Sequence, residues 1–190
     1  MKAGGWIAIV VIAVVIIGVV GWYINGLNRV VRMHEGVGSS WAQVETMLQR
    51  RNDLIPNLVN TVKGYASHEE ELYSEITRLR SQWAGAATVG EKIENARAME
   101  SALGRLMVVV ENYPQLRATE NFQTLQAQLE GSENRIAVER SRYNEAVRAF
   151  NTYIREVFGK FFAKRRGLTE PKPYFEAAPE AQEVPEVKFD

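Results

Sequence analysis

The chain has 190 residues, a mass of 21.5 kDa and equal numbers of basic and acidic side chains, 23 of each. That balance excludes a broadly basic nucleic-acid binder and an acidic disordered protein. With no cysteine and only His34 and His68, disulfides, thiolate metal centres, cysteine nucleophiles and His-rich sites are excluded too, and no cofactor is expected.

The first predicted element is a membrane anchor. No charged residue occurs from Ala3 to Asn28, and Trp6 to Ile24 is an apolar run closed by Trp22 and Tyr23. A helix of that length spans roughly 28 Å, close to the hydrocarbon core of a bilayer. Trp6 at one end and Trp22 with Tyr23 at the other stand where an aromatic belt belongs. A cleaved signal peptide is the competing reading. The run is longer than a usual signal core, and no Ala-x-Ala-like site follows it. Lys2 on one side and Arg29 with Arg32 on the other leave the orientation nearly balanced.

Past the anchor, apolar residues recur at alternating steps of three and four. The series is Leu27, Val30, His34, Val37, Trp41, Val44, Leu48, Arg51, Ile55, Leu58, Val62, Tyr65, Glu69, Leu72, Ile76, Leu79 and Trp83, interrupted only by His34, Arg51 and Glu69. This is helical periodicity with one apolar seam. Pro56 predicts a kink. Gly64, as a left-handed C-cap, and Ser67 with Glu70, as a capping box, predict a break near Gly64–Ser67.

Thr88 and Glu91 form a second capping box, which opens a helix faced by Ile93, Ala96, Met99, Leu103, Leu106, Val110 and Tyr113 and closed by Pro114. A last long helix is expected from near Thr119 to about Phe158. Its seam is Phe122, Leu125, Leu129, Ile136, Tyr143, Ala146, Phe150, Tyr153 and Val157, with Ser132 and Glu139 as misses. Segments of about 35, 20, 23 and 40 residues fit two long helices beside a short hairpin, an antiparallel up-and-down four-helix bundle. The expected architecture is all-α: a transmembrane anchor over 1–26, the bundle over 27–166 and a disordered, Pro-rich acidic tail over 167–190. Tyr174 and Phe175 are a docking point within that tail.

Several stretches closely resemble the LemA family. They are Ser40-Trp41-Ala42-Gln43-Val44-Glu45, Gln49 through Val59 with Asn52-Asp53-Leu54-Ile55-Pro56-Asn57 at its centre, Val62-Lys63-Gly64-Tyr65-Ala66, and His68-Glu69. Further along, Ser101 to Leu106, Glu111-Asn112-Tyr113-Pro114, Glu120-Asn121-Phe122, Glu133 to Ala137, Arg142-Tyr143-Asn144 and Lys172-Pro173-Tyr174-Phe175 match in the family's order. The resemblance covers roughly residues 28–178. It implies a bacterial, membrane-anchored, four-helix domain with no established activity, an envelope accessory sometimes linked with membrane proteases. The segment Ile154–Arg166 departs from the family's usual Pro- and Asn-containing loop. Some relatives carry a lipidated cysteine; this chain has none, so its anchor is the apolar helix.

Three clusters merit weighing as sites. Arg50, Arg51 and Asp53 followed by Pro56 and Asn57 form the densest polar group on an apolar helix. The structural reading has Arg51 on the seam, paired with a carboxylate of a facing helix, with Glu69, Glu139 or Asn134 as counterparts; the functional reading is a partner groove. Gly36 and Gly38 are either tolerated helix glycines or a hinge. Phe158, Phe161 and Phe162 with Lys160, Lys164, Arg165 and Arg166 are either core aromatics with a solvated basic end or an anionic membrane-surface element. His68-Glu69 lacks the second histidine a zinc protease needs, because position 72 is Leu72.

The function expected is a non-enzymatic, single-pass scaffold or adaptor of the bacterial inner membrane, acting by self-association or by binding another envelope protein. Its expected partners are the membrane, a second copy, an envelope protein or a membrane protease, and not nucleic acid. The alternative is a membrane-surface remodeller working through residues 158–166.

Overall fold

A computed structural model describes residues 3–176, with side chains from Trp6 onward. Lys2 and the expected tail from residue 177, including Pro179, Pro185 and the acidic run, lie outside the described residues. Every described regular element is helical. α1 is Ala3–Lys63, α2 Glu70–Gly85, α3 Val89–Glu111, α4 Pro114–Arg117, α5 Glu120–Tyr153 and α6 Val157–Arg166.

α1 carries an apolar stretch long and hydrophobic enough to cross a membrane. It then continues without interruption into the seam-bearing residues. Val30, Val37, Val44, Leu48, Ile55, Leu58 and Val62 are all buried, so the three-four spacing maps onto a real inward face. Pro56 lies inside this helix and does not end it; proline there has no amide to donate to the carbonyl of Asn52.

The chain leaves α1 at Lys63 and re-enters a helix at Glu70, by means other than those the sequence suggests. Gly64 is not left-handed, since Gly167 alone among the described residues has positive φ. α2 has no side-chain cap; its first residues follow Glu69, not a Ser67–Glu70 box. The turn is held by Tyr65 and Ala66 amides donating to the Val62 carbonyl, and by the Tyr73 hydroxyl donating to Ala66 O at 2.6 Å. Burial, and then the neighbouring Glu69 and Tyr113, raise the Tyr73 pKa and keep that donor protonated. α3, by contrast, does start with the capping box: the Glu91 amide donates to Thr88 Oγ1, and the Glu91 carboxylate accepts from the Ala87 and Thr88 amides. Those amides, Thr88's first, lower the Glu91 pKa.

The residues form two compact units. Among the described residues, one comprises residues 3–41 with Asn144–Lys172; the other is Ala42–Tyr143 with residues 173–176. The core of the second unit gathers Ile55, Leu58 and Val62 of α1, Leu72, Ile76 and Leu79 of α2, Met99, Leu103 and Leu106 of α3, Leu116 of α4, and Phe122 and Leu129 of α5.

The last long helix ends earlier than its periodicity suggests. α5 stops at Tyr153, and α6 starts at Val157 after an extended Glu156. Val157, expected on the seam, is 82 % exposed. The buried face of α5 runs through Tyr143, Val147, Phe150 and Tyr153, so Val147 takes the place given to Ala146. The turn depends on Gly159. A Cβ there would stand 1.8 Å from the Tyr153 carbonyl oxygen, so only glycine lets α6 fold back this closely.

Candidate functional site

Two clusters carry the residues the sequence singles out, one in each unit. In the first unit, α1 supplies Trp22, Tyr23 and Gly26, and α6 supplies the aromatics. The Trp22 ring meets Phe158 edge-on at 5.5 Å and Phe162 at 5.1 Å. Tyr23 meets Phe161 at 6.3 Å and Phe162 at 5.9 Å. These distances and tilts are those of favourable edge-to-face pairs. Phe162 is buried because Gly26 has no side chain; a Cβ there would lie 2.2 Å from the Phe162 ring. Tyr153 completes the seat, its hydroxyl reaching Gly26 O at 3.5 Å and its ring lying under the Arg29 guanidinium at 4.8 Å. His34 is half-buried, edge-on to Phe150 at 5.7 Å.

The seven aromatic and basic residues of α6 do not share one environment. Phe162 is buried, whereas Phe158 and Phe161 are exposed along with Lys160, Lys164, Arg165 and Arg166. The Arg165 guanidinium lies 5.5 Å from the Phe161 ring centre. α6 ends on Gly167 at φ 69°, with the Leu168 amide donating to Ala163 O, a left-handed cap that only glycine takes easily. Trp6, far along α1, is exposed and outside this cluster.

In the second unit, Arg51 is fully buried and Arg50, Asp53 and Asn57 are exposed, with Pro56 between. The structure separates the motif by helix face: only Arg51 and its neighbour Asn52 turn inward. Arg51 donates to Glu133 Oε1 at 3.3 Å and to the Ala96 carbonyl at 3.1 Å. Its side-chain partner is therefore Glu133, and not Glu69, Glu139 or Asn134; Glu139 pairs with Arg142 beside it. Arg51 Nε, both amide atoms of Asn52 and the buried Ser132 hydroxyl find no hydrogen-bond partner among the described residues. Lys92 pairs with Glu45 in the same unit.

Two further features belong to this unit, one that no sequence pattern marks and one that falls on the docking point read at Tyr174 and Phe175. The first is a cleft of about 640 Å³ with an apolar floor that includes Leu103, Met107 and Phe122, rimmed by Glu111, Glu130 and Arg117. The second is the chain after Pro173. Phe175 is buried, with the Arg140 guanidinium 4.3 Å from its ring, and Arg140 donates to the Glu176 carbonyl. The Tyr143 hydroxyl donates to Pro173 O at 2.8 Å, and burial pushes its pKa up to about 12. In the first unit, Lys172 is clasped by Asn151, which accepts from its amide and donates to its carbonyl. The segment 172–176 is thus tethered, unlike the free tail expected from residue 167, and Tyr174 alone of the aromatic pair stays exposed. No three potential metal ligands converge among the described residues.

The LemA family model matches residues 40–189. The chain is 26 % identical to Magnetosome protein MamQ 2 of Paramagnetospirillum magneticum, over 90 % of this chain and 73 % of that one. It is 22 % identical to Protein LemA of Metamycoplasma hominis, over 88 % of this chain and 75 % of that one. The helical elements, the apolar helix and a family match over most of the length converge: this chain is a member of the LemA family.

Proposed function

We propose that the chain is a single-pass protein of the bacterial inner membrane whose helices beyond the anchor form an antiparallel up-and-down bundle. The bundle works without catalysis, as a scaffold or adaptor that self-associates or holds another envelope protein. The observation that carries this reading is α1 itself. From Trp6 to Ile24 it has no charge and almost all its side chains exposed, whereas from Val30 onward it buries its seam. An apolar helix of that length left uncovered is stable in lipid and not in water. One rigid helix that changes solvent in this way anchors a folded domain to a surface and raises its local concentration there.

Confinement to a membrane favours contact-making, and charged groups in the second unit serve pairing and capping: Arg51 with Glu133, Lys92 with Glu45, and Glu91 on its cap. A membrane protease is one candidate partner. The test is crosslinking in intact membranes with mass spectrometry of captured chains, and light scattering of the full chain in mild detergent. A protein mass, with bound detergent subtracted, above that of one 21.5 kDa chain, or one reproducible captured partner, supports the reading; a strict monomer that captures nothing refutes it.

A second reading, action on the membrane surface through residues 158–166, is favoured by the edge-on contacts of Phe158 and Phe162 with Trp22.

A further inference from the structure

We infer that α6 lies in the headgroup layer of the bilayer that α1 spans and binds anionic lipid, making a basic aromatic collar around the end of the anchor. This inference rests on the anchor reading above.

Depth comes first. Trp22 closes the apolar stretch of α1, so in a spanning helix it marks the membrane–water boundary. Phe158 and Phe162 touch that ring, and Phe161 and Phe162 approach Tyr23. α6 is therefore held at the boundary level by the same aromatic cluster. Phe162 seats against Gly26, and Gly159 sits against the Tyr153 carbonyl, so its position is fixed by packing on two sides.

The face that α6 leaves open comes second. At about 100° per residue, Gly159, Phe162 and Ala163 share one side of the helix, and all three are buried. Val157, Phe158 and Phe161 lie on the opposite side and are 82 %, 62 % and 43 % exposed. The same spacing puts Lys160 and Lys164 on one flank of that apolar strip and Arg165 within it, between Phe161 and Phe158. Such a strip, three large apolar groups interleaved with and flanked by basic ones, costs free energy in water and suits the boundary between acyl chains and headgroups.

Charge decides the lipid. Arg29 and Arg32 follow the aromatic end of α1, and α6 adds Lys160, Lys164, Arg165 and Arg166. No acid occurs from Ala3 to His34 or from Val157 to Thr169. Glu145 and Glu156 line one pocket with Arg29, so the unopposed charge is that of Arg32 and the four α6 cations, which match phosphate-bearing anionic headgroups. Each basic group near such a leaflet multiplies surface partitioning by roughly fivefold.

The absence of cysteine makes the test clean. Val157→Cys and, separately, Ile12→Cys are introduced into the full chain, labelled with a nitroxide and reconstituted in nanodiscs. The discs contain either phosphatidylcholine alone or phosphatidylcholine with phosphatidylglycerol. Collision with oxygen, which concentrates in lipid, is compared with collision with a neutral nickel chelate, which stays in water. At position 157 we expect high oxygen and low nickel accessibility, with nickel accessibility at least about threefold lower in anionic than in neutral discs. Replacing Lys160, Lys164, Arg165 and Arg166 together by Gln should abolish that difference, with helicity at 222 nm preserved.

Nickel access at position 157 in both lipids overturns the inference. Shielding from both reagents overturns it as well, because a second protein surface then covers α6. Equal lipid burial in both discs overturns the headgroup recognition. The label at position 12 separates these failures from failure of the anchor: oxygen-rich there, the anchor stands whatever position 157 reports; nickel-accessible there, both readings fall.

Discussion

The buried ion pair of Arg51 with Glu133 offers a sharp test of how the second unit is held together. The Arg51 side chain is 2 % exposed, while the Glu133 side chain keeps 35 % of its surface in solvent, at an N–O distance of 3.3 Å. At an effective dielectric of about 20, two unit charges at that distance attract by roughly 5 kcal/mol before desolvation. The half-wet carboxylate screens part of this, so the loss on breaking the pair falls below that figure. Glu133→Gln leaves a buried cation with the Ala96 carbonyl as its other acceptor; we expect a cost of about 2–3 kcal/mol, below the roughly 3–5 kcal/mol of a fully buried pair because the carboxylate is part-solvated. Arg51→Met removes the charge and keeps the volume, and Glu133 can turn to water. That variant, and the double variant, should stay within about 1 kcal/mol of the parent. Urea unfolding of the full chain in mild detergent, followed at 222 nm, measures each value. If Glu133→Gln unfolds within about 0.5 kcal/mol of the parent, or the double variant is worse than the single, the pair does not hold this unit in the way argued.

Other substitutions probe other elements. Gly36 and Gly38 lie inside α1 with open space where a Cβ would be; Gly→Ala at each should stabilise by about 0.5–1 kcal/mol, and retained partner capture by the double variant would refute the hinge reading. Gly159→Ala forces a Cβ into the Tyr153 carbonyl and should release α6, seen as faster amide exchange over Val157–Arg166; unchanged exchange would refute the packing account. Tyr143→Phe loses the hydrogen bond to Pro173 O, about 1 kcal/mol at neutral pH. The parent phenol, raised from 10 to about 12 by burial, favours the folded state while protonated. That contribution is complete below pH 10 and is lost as pH climbs toward 12, so the alkaline fall in stability should flatten in Tyr143→Phe.

Much of the fold was legible because it is written in local spacing. The seam from Val30 to Val62 came from three-four periodicity, and the Thr88–Glu91 box from two residues that satisfy each other's backbone. The start of α2 misled, because Ser67 and Glu70 have the right types but the Tyr73 hydroxyl and the Val62 carbonyl hold that turn instead. The partner of Arg51 was illegible for a different reason. Its carboxylate lies 82 residues away on α5, and several acids had spacing as good.

By itself, then, the order of residues determined a charge-free stretch fit for lipid, a helical chain and its inward stripe, since each follows from neighbours three or four positions apart. Only the tertiary structure decided that α5 ends at Tyr153, that α6 turns back to set Phe162 on Gly26, and that Phe175 is clasped beneath Arg140. These depend on which surfaces meet across long stretches of chain. No local pattern encodes a missing Cβ that two distant segments both require.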